Sequence, residues 1–210
     1  MTNVIGDIAG QYKTLMALIE KMPEGETISV GDMVDRGLHS REVLEFFMDN
    51  DNTRALMGNH EHMMLDFYKG GPQYGQRCWL SNGGRHTAKQ FPDGLPVEHM
   101  DFLKGLPLFI ETENCLITHG FVTPSLGLEQ VCEEDNLASD SEISVIWGRE
   151  YPERMEKYEL QLAGHNSHFG LKRFSGAKGE FAVCLDTSRD NILTGIHLPS
   201  KKIYQQSYID

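Results

Sequence analysis

The sequence predicts an α/β fold, a two-sheet α/β/β/α sandwich carrying a small helical cap. Three observations predict it. Over the first two thirds of the chain, short apolar runs alternate with amphipathic helical stretches, the rhythm of parallel strands joined by helices. A stretch without strand signals, about residues 69–105, interrupts that rhythm. From Leu108 onward strand-like runs dominate, and they fit a second sheet better than one doubly wound sheet.

Each element has its own signal. Asn3 to Ile5 is apolar and strand-like, and Gln11 to Lys21 follows with Leu15, Leu18, Ile19 and Met22 at helical spacing. Thr27 to Val30 is the next strand. Ser40 is placed to cap a helix that carries Val43, Leu44, Phe46 and Phe47 and ends at Asp51. Thr53 to Met57 gives a third strand, and a helix runs from about His60 to Tyr68. The cap region holds two helix-like stretches and the turn-forming Gly70-Gly71-Pro72 and Gly83-Gly84 pairs. The later strands are Leu108 to Glu111, Cys115 to Thr118, Leu160 to Ala163, Phe181 to Leu185, Ile192 to Leu198 and Lys202 to Ser207, the last three reading as an antiparallel meander. Residues 1–210 are expected to form one domain, with the cap inserted in it.

Composition narrows the function classes. The chain has 210 residues, 40% of them hydrophobic and 24% charged, the profile of a globular protein with one core. A formal charge of −12 argues against a general nucleic-acid binder. The N-terminal MTNVIGD lacks the basic and apolar regions of a signal peptide, and no apolar run approaches a membrane span, so a cytoplasmic location without membrane partners is expected. The four cysteines are scattered, which predicts reduced thiols, with Cys115 and Cys184 buried in strands.

One local pattern repeats: an apolar strand, a glycine, then a side chain able to bind a metal. VIGD places Asp7 at a strand end, SVGD places Asp32, and LMGNH places Asn59 and His60. LITHG places His119, and LAGH places His165. The carboxyl ends of strands form the ligand crevice of open α/β sheets, and glycine lets backbones approach closely there. A lone histidine at a strand end is more often structural than a ligand. Five segments sharing one pattern reverse that preference, and imidazoles with carboxylates suit Mn2+, Zn2+ or iron better than Ca2+. His39, His62, His86, His99, His168 and His197 lack this context and read as surface or packing residues. Trp147 reads as a packing residue too.

In order along the chain, GDIAGQY, GDMVDRG, GNHE, THG and GH resemble the phosphoprotein phosphatase family within the calcineurin-like metallophosphoesterases. CWLSNGGRHT and the closing FAVCLDTSRDNILTGIHLPSKKIYQ are similar to its short bacterial and phage members, the lambda phage protein phosphatase among them. The resemblance implies the calcineurin-like two-sheet fold and a site holding two divalent metal ions, with Mn2+ favoured. It implies that Asp32 bridges the two ions, that Asp7 holds the first, and that Asn59, His119 and His165 hold the second. It implies that His60 protonates the leaving oxygen, that Asp35 orients His60, and that Arg36 and Arg149 bind phosphate oxygens. Those roles match the needs of phosphoryl transfer: an activated water, charge stabilisation on the equatorial oxygens and a protonated leaving group.

The resemblance implies a serine/threonine phosphoprotein phosphatase-like hydrolase, in which a metal-bridging hydroxide attacks phosphomonoesters of a phosphoprotein or a small molecule. The alternative is a symmetrical dinucleoside-tetraphosphate hydrolase using the same site on a phosphoanhydride, with the cap selecting between them. One departure supports a third reading. The family's first motif is usually GDxHG, and its histidine holds the first metal. Ala9 stands at that position, weakening the first site and leaving open a metal-poor, weakly active binding protein. Gln11 and His39 lie near this point without an assigned ligand role.

Overall fold

The computed structural model describes residues 1–71, 73–122, 127–133, 137 and 144–209. Its centre is a pair of five-stranded mixed sheets. In the first, β1 (Thr2–Ile5), β2 (Glu26–Ser29) and β3 (Thr53–Ala55) run parallel, joined by α1 (Tyr12–Lys21) and α2 (Ser40–Asp49). In the second, β4 (Phe109–Glu111) pairs antiparallel with β5 (Cys115–Thr118), which runs parallel to β6 (Leu160–Ala163). β7 (Lys172–Gly176) and β8 (Gly179–Cys184) form a hairpin whose β8 lies parallel to β6. The chain then returns to the first sheet, where β9 (Ile192–Leu198) pairs antiparallel with β1 and β10 (Lys202–Ser207) with β9.

Strand alternation explains why the sheets face each other. Val4, Ile28, Leu162, Val183 and Ile196 meet in the layer between the sheets. On the other face of the first sheet, Ile5 and Leu193 pack with Leu15, Leu18, Val43, Leu44 and Phe47 of the two helices. On the other face of the second, Ala163, Ala182 and Cys184 pack with Phe121. All four cysteines are free, with Cys115 and Cys184 buried.

α3 (Asn59–Tyr68) leads into the region between the two halves. There, α4 (Gln73–Trp79), a π-helical turn (Leu80–Gly84), α5 (Arg85–Gln90) and α6 (Val97–Lys104) supply helix where no strand was expected. Pro72 of the expected glycine-proline turn lies outside the described residues. A short α7 (Leu128–Val131) follows β5.

Three sequence expectations are corrected. The last three strands are not one meander: β8 belongs to the second sheet, while β9 and β10 belong to the first. β7 was not expected, because Lys172–Gly176 is a largely exposed, polar edge strand without apolar alternation. Ser40 does not cap α2 with its side chain; its hydroxyl instead accepts the Asp35 main-chain N–H at 3.0 Å.

Candidate active site

The strand ends of both sheets meet at one crevice. Glycine is required there for steric reasons. A Cβ on Gly58 would stand 2.3 Å from Asp32 Oδ1, and one on Gly164 would stand 2.0 Å from Asp7 Oδ1. Ala9, Asp32, Asp35, Arg36 and His165 all adopt left-handed backbone conformations, with φ between 50° and 74°. Non-glycine residues pay for that conformation, and such strain clusters where side chains must be aimed.

Four of the expected ligands converge on one point. Asn59 Oδ1 lies 3.0 Å from His119 Nε2 and 3.0 Å from His165 Nδ1, and Asp32 Oδ1 lies 3.3 Å from His119 Nε2. The remaining ring nitrogens settle which atoms carry protons. His119 Nδ1 donates to the Val30 carbonyl at 3.0 Å, and His165 Nε2 donates to the Trp147 carbonyl at 3.2 Å. Burial holds both imidazoles neutral, lowering the His119 pKa and bringing that of His165 down to about 3. His119 Nε2 and His165 Nδ1 therefore carry bare lone pairs that face an amide oxygen and a carboxylate. Acceptors facing one another with no proton between them repel, and a cation at their centre removes the repulsion. Asp32, His119 and His165 have ligand atoms within 4.8 Å of one another, and the mixed N/O set suits a borderline transition metal. The outward hydrogen bonds to Val30 and Trp147 fix the tautomers, as the outer partners of metal-binding histidines commonly do.

Asp32 is itself tightly held. Burial works to raise its pKa, but His119, His60 and Arg36 outweigh burial and bring it down to about 2. Its Oδ1 accepts the His60 main-chain N–H at 3.0 Å. Glu61 braces the same turn, accepting the main-chain N–H groups of Asp32, Met33, Val34 and Gly58 at 2.8–3.2 Å. Burial and the Asp32 charge push the Glu61 carboxyl up to about 7, against the pull of those donors.

Asp7 lies beside this group. Each of its oxygens is 3.2 Å from the His165 main-chain N–H. Burial, then the charges of Asp186 and Asp32, raise its pKa well above the carboxylate range. Ala9 is buried, and its N–H donates to the Asp32 carbonyl at 2.8 Å.

His60 stands at the edge of the cluster, its Nε2 3.8 Å from Asp32 Oδ2. Its Nδ1 donates to Asp35 Oδ2 at 2.6 Å, and its Nε2 lies 3.1 Å from Arg36 Nη2. Asp35 is fully buried and anchored from the cap: Trp79 Nε1 donates to its Oδ2 at 2.8 Å, and Thr87 Oγ1 to its Oδ1 at 2.7 Å. Burial disfavours the imidazolium of His60, but Asp32 and Asp35 overcome it and the pKa rises. A guanidinium only donates, so Arg36 Nη2 donates to His60 Nε2 here, and Nε2, the ring atom that faces the crevice, can take up a proton once Arg36 turns to a phosphate oxygen. Arg36 is exposed there. Arg149 is exposed on the other side, where its charge reaches His165 and it lines a small cleft with Asn166 and His168.

The structure thus gathers Asp7, Asp32, Asn59, His60, His119 and His165 in one crevice, with Asp35 and Arg36 against His60 and Arg149 at the rim. Sequence reasoning missed Glu61, Trp79, Thr87 and Asp186. Glu61 had a signal, a glutamate three residues after the glycine that opens a helix. Trp79 and Thr87 lie within CWLSNGGRHT, but nothing local to them points to Asp35, 44 and 52 residues away. Trp147 is half-buried as a packing residue should be, yet its carbonyl also orients His165.

A two-sheet α/β fold with a histidine–carboxylate–amide cluster at its strand ends defines a metallophosphoesterase. The match to the calcineurin-like phosphoesterase model spans residues 2–188, and the chain belongs to that family. It is 32% identical to a symmetrical bis(5'-nucleosyl)-tetraphosphatase of Marinomonas sp. (strain MWYL1), over 67% of this chain and 53% of the relative. It is 27% identical to the protein of that name from Neisseria meningitidis serogroup A, over 70% of this chain and 51% of the relative. The chain therefore spans about half the length of these curated relatives. Among solved structures, a chain described provisionally as a diadenosine tetraphosphatase superposes with a TM-score of 0.65 at 18% identity, over 100% of this chain and 94% of that one. A metallophosphoesterase from Sphaerobacter thermophilus gives 0.61 at 16% identity, over 100% and 87%. Both likenesses concern the fold. Among the described residues, no helix is long and apolar enough to cross a membrane.

Proposed function

We propose that this chain is a metal-dependent hydrolase of dinucleoside polyphosphates, with bis(5'-nucleosyl) tetraphosphates as its substrate class. The observation that carries the chemistry is the placement of His60, backed by Asp35, beside the inward-facing donors of Asp32, Asn59, His119 and His165. The choice of substrate is supported by the names of the relatives. In this reading the four donors hold one divalent ion, with Mn2+ favoured. Asp7 and Asp32 hold a second, more weakly because Ala9 offers no ligand. When bound, such ions polarise phosphate oxygens and lower the pKa of water.

The chain's own groups do the rest. His60 delivers its Nε2 proton to the leaving oxygen, and Asp35 stabilises the imidazolium beforehand. Arg36 and Arg149 hold the nonbridging oxygens, where charge builds in the transition state. Asp7, Asp32 and Asp186 crowd negative charge that the ions offset.

A second reading, hydrolysis of phosphomonoesters such as phosphoserine and phosphothreonine, is favoured by the likeness of CWLSNGGRHT to the short phosphatases. A direct comparison of diadenosine tetraphosphate with a phosphoserine peptide, in Mn2+ and after chelation, separates the two. Faster, chelator-sensitive cleavage of the dinucleotide is expected. Faster cleavage of the peptide would replace the proposal with the second reading. Background rates on both, with metal saturating, would favour the metal-poor binding protein.

A further inference from the structure

Beside the acid pair lies a cleft of about 490 Å³ that the assignments above leave unused. Ala9, Gln11, Arg36, Ser188, Arg189 and Tyr208 line it. Arg36 belongs to both places, since its guanidinium also touches His60. The cleft therefore opens directly from the position of the reacting phosphate.

Its walls are polar and underused. Gln11 Oε1 and the Tyr208 hydroxyl are buried and have no protein partner. Folded proteins leave few buried polar atoms in that state, and a ligand is one explanation for those that remain. Both atoms lie just behind the cleft surface, so a ligand oxygen or hydroxyl meets them only after a side-chain shift. Two arginines facing one cleft also run against a chain whose formal charge is −12. Their guanidinium forks suit phosphate oxygens, while Asp186 and Asp7 set the opposite charge at the Tyr208 wall.

Arg189 is positioned from several sides. It sits in the 3-10 turn Ser188–Asp190. Asp186 Oδ1 fixes the start of that turn, accepting Ser188 N at 3.0 Å and Ser188 Oγ at 2.7 Å. Arg189 N donates to Ser167 Oγ at 3.0 Å, and Gly170 N donates to Asp190 Oδ2 at 2.5 Å. The turn is thus clipped to the loop that follows His165. On that loop Phe169 is 77% exposed, and the Arg189 guanidinium lies 5.0 Å from its ring centroid. An exposed aromatic ring beside a guanidinium is a surface on which a nucleobase can stack.

We propose that this cleft is a distal subsite for the nucleoside phosphate portion of the substrate. Arg36 stays on the phosphate that reacts, Arg189 holds a phosphate beyond it, Tyr208 and Gln11 stand in the wall between them, and Phe169 with Arg189 receives the base. The assignment rests on the dinucleoside polyphosphate reading above. It gives that reading a physical basis for preferring a long nucleotide over a simple ester.

Arg189→Ala and Phe169→Ala are the test variants, since both side chains are at the surface and neither is part of the core. The first measurement is the ratio of kcat/KM for diadenosine tetraphosphate to that for p-nitrophenyl phosphate. It should fall about tenfold or more in Arg189→Ala, the size of a lost hydrogen bond to a charged group, with the change mainly in KM. The second is calorimetric binding of ADP and of inorganic tripolyphosphate to the chelator-treated protein, which reads the cleft without turnover. Arg189→Ala should weaken both ligands, and Phe169→Ala should weaken ADP alone. An unchanged substrate ratio with parental ADP binding in either variant would overturn the subsite. A parent protein that cleaves p-nitrophenyl phosphate but not diadenosine tetraphosphate would instead overturn the functional reading itself.

Discussion

Replacing Asp35 with asparagine removes a charge from behind His60 while conserving volume. Asp35 Oδ2 accepts from His60 Nδ1 at 2.6 Å and from Trp79 Nε1 at 2.8 Å, and Oδ1 accepts from Thr87 Oγ1 at 2.7 Å. An asparagine whose oxygen takes the Oδ2 position keeps the first two bonds, and its amide can donate to the Thr87 hydroxyl. The fold should survive. What disappears is the charge assistance on the histidine bond. Hydrogen bonds to charged groups contribute about 1.5–3 kcal/mol and neutral ones about 0.5–1.5 kcal/mol, so the imidazolium of His60 loses about 1–2 kcal/mol of support. That corresponds to roughly 5- to 30-fold in rate wherever protonation of the leaving oxygen limits turnover. The assay compares p-nitrophenyl phosphate, whose leaving group needs little protonation, with an alkyl phosphate, whose leaving group needs much. The alkyl ester should show the loss and the nitrophenyl ester little of it. An equal loss on both, with metal content unchanged, would refute the role given to the Asp35–His60 pair.

His60→Asn should cost more, about 100- to 1,000-fold on the alkyl ester, because it removes the acid itself and leaves the four inward-facing donors intact. Arg36→Ala and Arg149→Ala should each weaken inhibition by free phosphate while metal content holds. Parental phosphate inhibition in Arg149→Ala would place that arginine outside the site. Ala9→His should tighten the second equivalent of Mn2+ in a calorimetric titration, and two equally tight equivalents in the parent would mean that another group already serves there. Gly58→Ala should destabilise the fold by about 1–3 kcal/mol in denaturant titrations, as overpacking does, because its Cβ would meet Asp32 Oδ1 at 2.3 Å. An alanine variant as stable as the parent would show that the turn before α3 can give way.

Much of this was legible because the site is written locally. Each ligand follows a strand and a glycine, and the structure shows the reason: Gly58 and Gly164 are where one strand end passes a carboxylate of another. The strands Cys115–Thr118, Leu160–Ala163, Ile192–Leu198 and Lys202–Ser207 announce themselves by composition and stand where expected. Partnership was not legible. Nothing in Phe181 to Leu185 says that it pairs with β6 rather than β9, because that choice depends on which apolar faces close the layer between the sheets. Lys172–Gly176 hides as a strand because an exposed edge needs no apolar alternation. The supports of Asp35 were hidden for a related reason. Trp79 and Thr87 reach it from the helices between the two halves, and a hydrogen bond across 44 or 52 residues leaves no periodic trace. Ser40 looked like a helix cap because serine before an amphipathic helix usually is one, but its hydroxyl is engaged by the Asp35 main chain.

The central claim is that Asp32, Asn59, His119 and His165 present bare donor atoms to one metal position. Anomalous diffraction from crystals grown with Mn2+ tests it most directly. The account predicts a peak about 2.0–2.2 Å from Asn59 Oδ1, His119 Nε2, His165 Nδ1 and an Asp32 oxygen, the usual range for nitrogen and oxygen ligands of such ions. A peak bound through His119 Nδ1 or His165 Nε2, or no peak within reach of these four side chains at saturating Mn2+, would contradict it.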